Sequence, residues 1–274
     1  MANEQGSNSA RFVFRGDAVA LGGRVIRIGD KNVGEAVPSP AASSLSTAGG
    51  SSLSKSPGSA PDHRFKGIFS WGECVAESIG TIGSNGSAKT TVTASVMKLS
   101  VTNKPITFQT DVLKAVLESD HPTRGQPSMV PKDAVFFKKG MTLNKLPIEL
   151  EIDLDPFKSF PTMAALDSEF KTNRKFYDRH VGRFKRTRST PPSFGSPIPR
   201  VSGFASSSIV TGIKFGGRKI QGNVLTFEGF GSIYFGELLV NENNRRLTLL
   251  RLEMGSDVRA SMAFAEVSSN GSWD

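Results

Sequence analysis

The chain of 274 residues contains one cysteine, Cys74, three histidines, two tyrosines and two tryptophans. A single thiol can neither close an intrachain disulfide nor build a thiolate metal site, and its lone use fits a reducing compartment. His63, His121 and His180 are nowhere three or four residues apart, which excludes a helical histidine metal pair. No apolar run approaches the roughly 20 residues that a membrane-spanning helix needs. Met1 to Ala10 carries Glu4 but no lysine or arginine, so it has neither the basic nor the apolar region of a secretory leader. A cytoplasmic location is the expectation. No Gly-x-Ser-x-Gly elbow occurs, and no Gly-Lys-Ser/Thr follows the glycine-rich pieces at Gly212–Gly217 and Gly229–Gly231, which therefore read as turns or close strand contacts.

What is abundant points to a β protein. There are 28 glycines, 15 prolines and 19 phenylalanines, with 37% hydrophobic and 22% charged residues and a mean hydropathy of −0.21. Such a composition excludes a membrane bundle, a coiled coil and a wholly disordered chain. Phe12, Phe14, Val19 and Leu21 alternate before Gly22-Gly23, and Val25, Ile26 and Ile28 follow, which reads as strand, glycine turn, strand. Strand patterning resumes from Phe65, and Gly83-Ser84-Asn85-Gly86 is a hairpin signal because Asn-Gly tolerates positive φ. Val92, Ala94 and Val96 hold one parity while Met97, Leu99 and Val101 hold the other, a change that requires a bulge or a strand buried on both faces. Residues 110–119 suit a short helix or a strand. Val135–Phe137 and Leu143–Leu154 are strand candidates, the second alternating Ile148, Leu150, Ile152 and Leu154 with an acidic row of Glu149, Glu151, Asp153 and Asp155. Strands are also expected at Ile213–Phe215, Ile220, Val224–Phe227, Ile233–Val240, Leu247–Met254 and Ala260–Val267, with the hairpin closed at Asn241–Asn244.

One principal helix is expected at about 162–181, with Thr162 as its N-cap and Met163, Leu166, Phe170 and Tyr177 near one stripe. Two segments read as loops. Residues 38–61 hold nine serines, four prolines, three glycines and four alanines, too little apolar surface to offset ordering entropy, so a flexible loop is expected. Residues 187–203 form a Pro-rich loop. The whole is expected to be a single β-rich domain, 1–274, an antiparallel β-sandwich or flattened barrel.

The formal charge is +9, and it is concentrated. Lys171, Arg174, Lys175, Arg179, Arg183, Lys185, Arg186 and Arg188 stand against Asp178 alone, and Phe176, Tyr177 and Phe184 interleave with them. Aromatic and basic side chains together suit phosphate and base contacts, so these eight are the candidate anion-binding residues. The alternative is a solvated helix end, or a segment met by the acidic row of 149–155. That row is too widely spaced, at about 6.5–7 Å per two residues, for all of it to share one ion. Cys74 has no basic neighbour to activate it and reads as a buried, inert thiol. Glu237 and Arg251 can lie diagonal on one strand face among Ile233, Phe235, Leu247 and Leu249, where such a pair fixes register. No catalytic residue, metal site or cofactor is assigned. The function expected is a soluble non-enzymatic binding or assembly module whose partner is a protein or another copy. The alternatives are an anionic-surface binder, for nucleic acid or membrane, acting through 171–188; a membrane-inserting β protein, from the alternating segment 87–96; and, last, a hydrolase built on His180.

Overall fold

The computed structural model describes residues 11–58, 65, 67–132, 140–184, 192–255 and 257–274. Strands β1 (Phe12–Val13), β2 (Gly16–Ile28), β3 (Lys31–Val37), β4 (Ala42–Ser44) and β5 (Gly50–Ser56) open it. After β6 (Phe69–Ser70) come β7 (Cys74–Ile82) and two strands of 16 residues, β8 (Ala88–Asn103) and β9 (Ile106–His121). Next are β10 (Ser128–Pro131), β11 (Thr142–Leu143) and β12 (Leu146–Ile152), then helices α1 (Asp155–Ser159), α2 (Met163–Thr172) and α3 (Arg174–His180). The chain continues through β13 (Ala205–Ser208), β14 (Val210–Phe215), β15 (Arg218–Gln221), β16 (Val224–Phe227), β17 (Gly231–Val240), β18 (Arg245–Met254), β19 (Val258–Ser269) and β20 (Ser272–Trp273).

Two large antiparallel sheets face each other, and they do not close into a barrel. The ten-stranded sheet runs β15-β14-β12-β11-β9-β8-β7-β5, with β10 added to β9 and β6 to β8. The eight-stranded sheet runs β13-β17-β18-β19-β2-β3, with β16 on β17 and β4 on β2. Where β2 and β19 cross β7 and β8, the inward side chains are small: Ala18 and Ala20 face a layer holding Cys74, Ala76 and Ala94. Small residues let the sheets approach closely. A Cβ on Gly16 would sit 3.0 Å from the methyls of Thr90 and Val92, and one on Gly80 would lie 2.6 Å from Leu45 and Phe14.

Buried parity flips along several strands where one rung of the ladder is missed on both partners and the register is kept. In β8 the ladder passes from Met97↔Val112 to Leu99↔Thr110, skipping Lys98 at φ 48°. In the other sheet the skip runs transversely through Gly236, Leu249, Ala265 and Ala20, with Gly236 at φ 59° and Ala265 at φ 49°. Residues on either side of this line can therefore both point inward, as Phe235 and Leu238 do.

Of the two alternatives for residues 110–119 the strand holds: they lie within β9, whose Leu113, Ala115 and Leu117 fill the core at period 2. Other expectations are corrected. Gly22-Gly23 is no turn: β2 runs through it, and a Cβ on Gly23 would stand 2.3 Å from the Ser261 carbonyl oxygen. The described part of 38–61 is largely strand, β4 and β5, with Leu45 buried against Phe12 and Phe14. Its serines make backbone ladders rather than a free loop: β5 pairs with β7 along its whole length, and Ser43 donates to the Ser52 carbonyl at 2.9 Å. The helix expected at 162–181 is two, α2 and α3. Asn173, at φ −98° and ψ 102°, breaks the run, and its side chain accepts from the Phe176 amide to cap α3. The C-terminal strands divide between the layers: β14 and β15 join β12, while β16, β17 and β18 join the other sheet. Val135–Phe137 lies outside the described residues, as do His63 and residues 187–191 of the Pro-rich segment.

The helices plug one end of the sandwich. Thr162 caps α2, its hydroxyl accepting from the Ala165 amide at 3.1 Å. Met163, Leu166 and Phe170 turn inward, with Phe157 from α1. Arg245, 1% exposed, reaches under them to donate to the carbonyls of Met129 and Pro161, the second at 2.8 Å. Burial brings its guanidinium down to about 9. At another junction Asn103 donates to the carbonyls of Gly255, at 2.5 Å, and Phe230, and accepts from the Val258 amide, tying the β8–β9 turn to the other sheet.

Candidate functional site

The basic segment folds onto the acidic row. Lys171 pairs with Asp167 at 2.7 Å and Arg174 with Asp178 at 3.0 Å, each one helical turn apart. Hydrogen bonding to Asp178 raises the Arg174 guanidinium above its ordinary value. Arg174 also lies over the rings of Phe194 and Tyr177, 5.2 and 5.6 Å from their centroids. Arg179 approaches Asp153 at 3.8 Å. Arg183 is held more tightly: Nη2 is 2.5 Å from Asp153 Oδ2, and Nη1 donates to the Asp153 carbonyl at 3.0 Å. Its side chain is only 6% exposed. Burial lowers its guanidinium, and Asp153 opposes that shift. Lys175 is exposed on α3. Lys185, Arg186 and Arg188 lie outside the described residues.

Three of the four carboxylates of the acidic row are matched. Lys214 stands 3.5 Å from Glu149 and Lys219 2.9 Å from Glu151, so β14 and β15 serve the first two carboxylates and the basic segment serves the third. Asp153 also accepts from the Asp155 amide at 3.0 Å. A polar cleft of about 400 Å³ opens beside Asp153, Asp155, Arg179, Arg183 and Thr211. Its charges already answer one another, so its chemistry is that of a docking joint between strand and helix. Phe184 is fully buried between Phe157 and Phe170, and Tyr177 donates its hydroxyl to the Pro192 carbonyl. Neither ring is free for a base to stack upon.

Among the described residues the cysteine and both histidines are enclosed. Cys74 is fully buried, and burial, with Glu73 nearby, pushes its thiol up to about 11. His121 and His180 are each 3% exposed, and burial brings both down to about 4, against Asp120 in the first case and helped by Arg183 in the second. His121 Nε2 is 3.1 Å from Ser119 Oγ, itself 2.7 Å from Ser269 Oγ, in a chain sealed inside the core. No group of three or more metal-ligating side chains occurs among the described residues. No described helix is long and apolar enough to cross a membrane, and segment 87–96 belongs to β8, with Val92, Ala94 and Val96 in the core.

Glu237 and Arg251 do pair, at 2.6 and 2.9 Å through both carboxylate oxygens. Their surroundings differ from the expected apolar face. The missed rung at Gly236 and Leu249 turns Glu237 to the outer side with Tyr234, whose ring lies 3.7 Å from the Arg251 guanidinium, while Ile233, Phe235, Leu247 and Leu249 stay in the core. Glu237 and Glu253 raise Arg251 above its ordinary value.

One surface was missed by sequence reasoning. The outer face of β5, β7, β8, β9 and β10 carries Leu53, Val75, Ile79, Met97, Val112, Val116 and Val130 among Thr91, Thr93 and Ser95, and all keep solvent exposure. Its opposite side packs against β2, β18 and β19. The signal was available in β7 and β9, where apolar residues occupy both parities, as in Val75-Ala76 and Val112-Leu113.

Taken together, these features define a mainly β protein of two large antiparallel sheets. Residues 12–241 match the model of a family described as Domain of unknown function (DUF8256), and the chain belongs to that family. No curated protein and no solved structure matches it.

Proposed function

We propose that this chain is a non-enzymatic binding or assembly module acting through the outer face of its ten-stranded sheet. The carrying observation is the set of half-exposed β-branched and apolar side chains on that face, from Leu53 through Val75, Ile79 and Val116 to Val130. An apolar patch of that extent on a soluble fold marks an interaction surface. The buried, neutral state of His121 and His180 and the raised Cys74 thiol support the same reading, because a general base or nucleophile must reach a substrate. The test is a photo-reactive side chain at Thr93, on this face, with a control at Ser261 on the exposed face of β19. Specific adducts from Thr93 alone, in an extract of the native source, are expected. Equal labelling at both positions, or none at either, overturns the reading.

A second reading, binding of an anionic polymer or surface through 171–188, is favoured by one observation: exposed Lys175 lies next to Arg174, which is stacked on Phe194, itself 40% exposed. Arg183 leaves the binding set because Asp153 occupies it. Neutralising Lys175, Lys185, Arg186 and Arg188 together tests this. Each phosphate contact adds about 0.9 to the log–log salt slope on duplex DNA, so four contacts give about 3.6. Flat salt dependence in the parent sets the reading aside.

A further inference from the structure

We infer that the occupant of this outer face is a second copy of the chain, docked face to face about a twofold axis lying across the strands. This deepens the binding-module reading and rests on it. The ladders arrange the face in rows. One row is Ser51–Ile79–Thr91–Glu118–Val130, the next Leu53–Glu77–Thr93–Val116, the next Lys55–Val75–Ser95–Lys114, and the last Met97–Val112. Glu77 and Glu118 thus occupy one half, and Lys55 and Lys114 the other.

A twofold axis between the second and third rows reverses row order and preserves strand order. Glu77 of one copy then faces Val75 of the other, one strand away from that copy's Lys55. Each Lys114 faces the other copy's Val116, next to its Glu118. The face is therefore self-complementary in charge, as an isologous interface requires. Glu77, Lys55 and Lys114 have no ion-pair partner among the described residues, whereas Glu118 is bound to Lys132 at 2.9 Å at the rim. Between the charges the rows present β-branched and hydroxylated side chains, which interdigitate when sheets stack at about 10 Å.

The size of the face indicates how strong the contact is. From Thr91 to Met97 is about 20 Å along the strand, and five strands span about 19 Å, so each copy covers about 380 Å² of plane. About 760 Å² in total is below the standard interface size and belongs to a weak, concentration-dependent, reversible dimer rather than an obligate one.

The experiment is sedimentation velocity on the purified full chain across a concentration series, with three variants: Lys114→Glu, Glu77→Lys and Val116→Lys. Circular dichroism and the thermal midpoint confirm that each is folded. The parent is expected to dimerise reversibly, more weakly as salt rises. Each variant alone is expected to associate at least about tenfold more weakly, since like charges then meet across the axis or a charge is buried in the contact. Mixing Glu77→Lys with a fourth variant, Lys55→Glu, is expected to restore association, because both contacts between positions 55 and 77 across the axis are then attractive again. A parent that stays monomeric at every concentration, or variants that dimerise like the parent, overturns the second copy as occupant. In that event, adducts at Thr93 with another protein would still sustain the binding-module reading.

Discussion

Arg183 and Asp153 join the end of the helical segment to the end of strand β12, through one side-chain contact of 2.5 Å and one guanidinium–carbonyl bond of 3.0 Å. With 6% and 16% of their side chains exposed, they form a nearly buried ion pair. Removing one partner leaves the other charge enclosed, which costs about 3–5 kcal/mol. Arg183→Met and Asp153→Leu are each expected to destabilise by that order in chemical denaturation, and the double variant by clearly less than their sum. Additive losses would show that the two do not depend on each other.

The serine-rich stretch after Val37 is expected to be indispensable, because β4 and β5 place Leu45 against Phe12 and Phe14. Leu45→Ala should cost about 2–5 kcal/mol. Replacing residues 42–56 by a Gly/Ser linker should lower the thermal midpoint by many degrees. An unchanged midpoint would mean that β5 contributes nothing to the sheet.

Phe235 and Leu249 are fully buried at the transverse line of missed rungs in the eight-stranded sheet. Truncating either to alanine should cost about 2–5 kcal/mol. Gly236→Val adds a Cβ that would stand 2.5 Å from Ile209 at φ 59°, so it should destabilise as well. Losses within experimental error in denaturant unfolding would place these residues outside the core.

The two buried histidines predict how stability responds to acid. Each is held neutral down to about 4, whereas an unfolded histidine takes up its proton near 6.5. Between these values the unfolded chain binds more protons than the folded one, so stability falls as pH drops through that window and is full above it. His121→Gln and His180→Gln together should flatten the profile in that range. An identical pH profile for parent and variant would show that these rings are protonated in the folded state.

Much of the fold was legible in the sequence. The Asn-Gly turn at 85–86, the Thr162 cap, the hairpin at Asn241–Asn244 and the parity change near Met97 are local signals, and local backbone preferences answered them. The Glu237–Arg251 pair was named from the hairpin, yet only the missed rung at Gly236 and Leu249 brings the two to one face, since Glu237 stands opposite Thr248 and Arg251 opposite Tyr234, three residues along.

Other features are written in tertiary structure alone. Serines of 50–56 become a strand because β7 offers an unpaired edge, which their own composition does not announce. Gly23 belongs inside a strand because Met262 and Ser261 press against it from β19, about 240 residues along the chain. The basic run was conspicuous, yet its charge was answered by Asp153 from another element, and Phe184 was turned into the core by Phe157 and Phe170. Composition and periodicity thus determined the β class and its turns, since those depend on neighbours a few residues apart. Which face stays open and which charge is already paired were decided by packing, because both depend on residues that only the folded chain brings together.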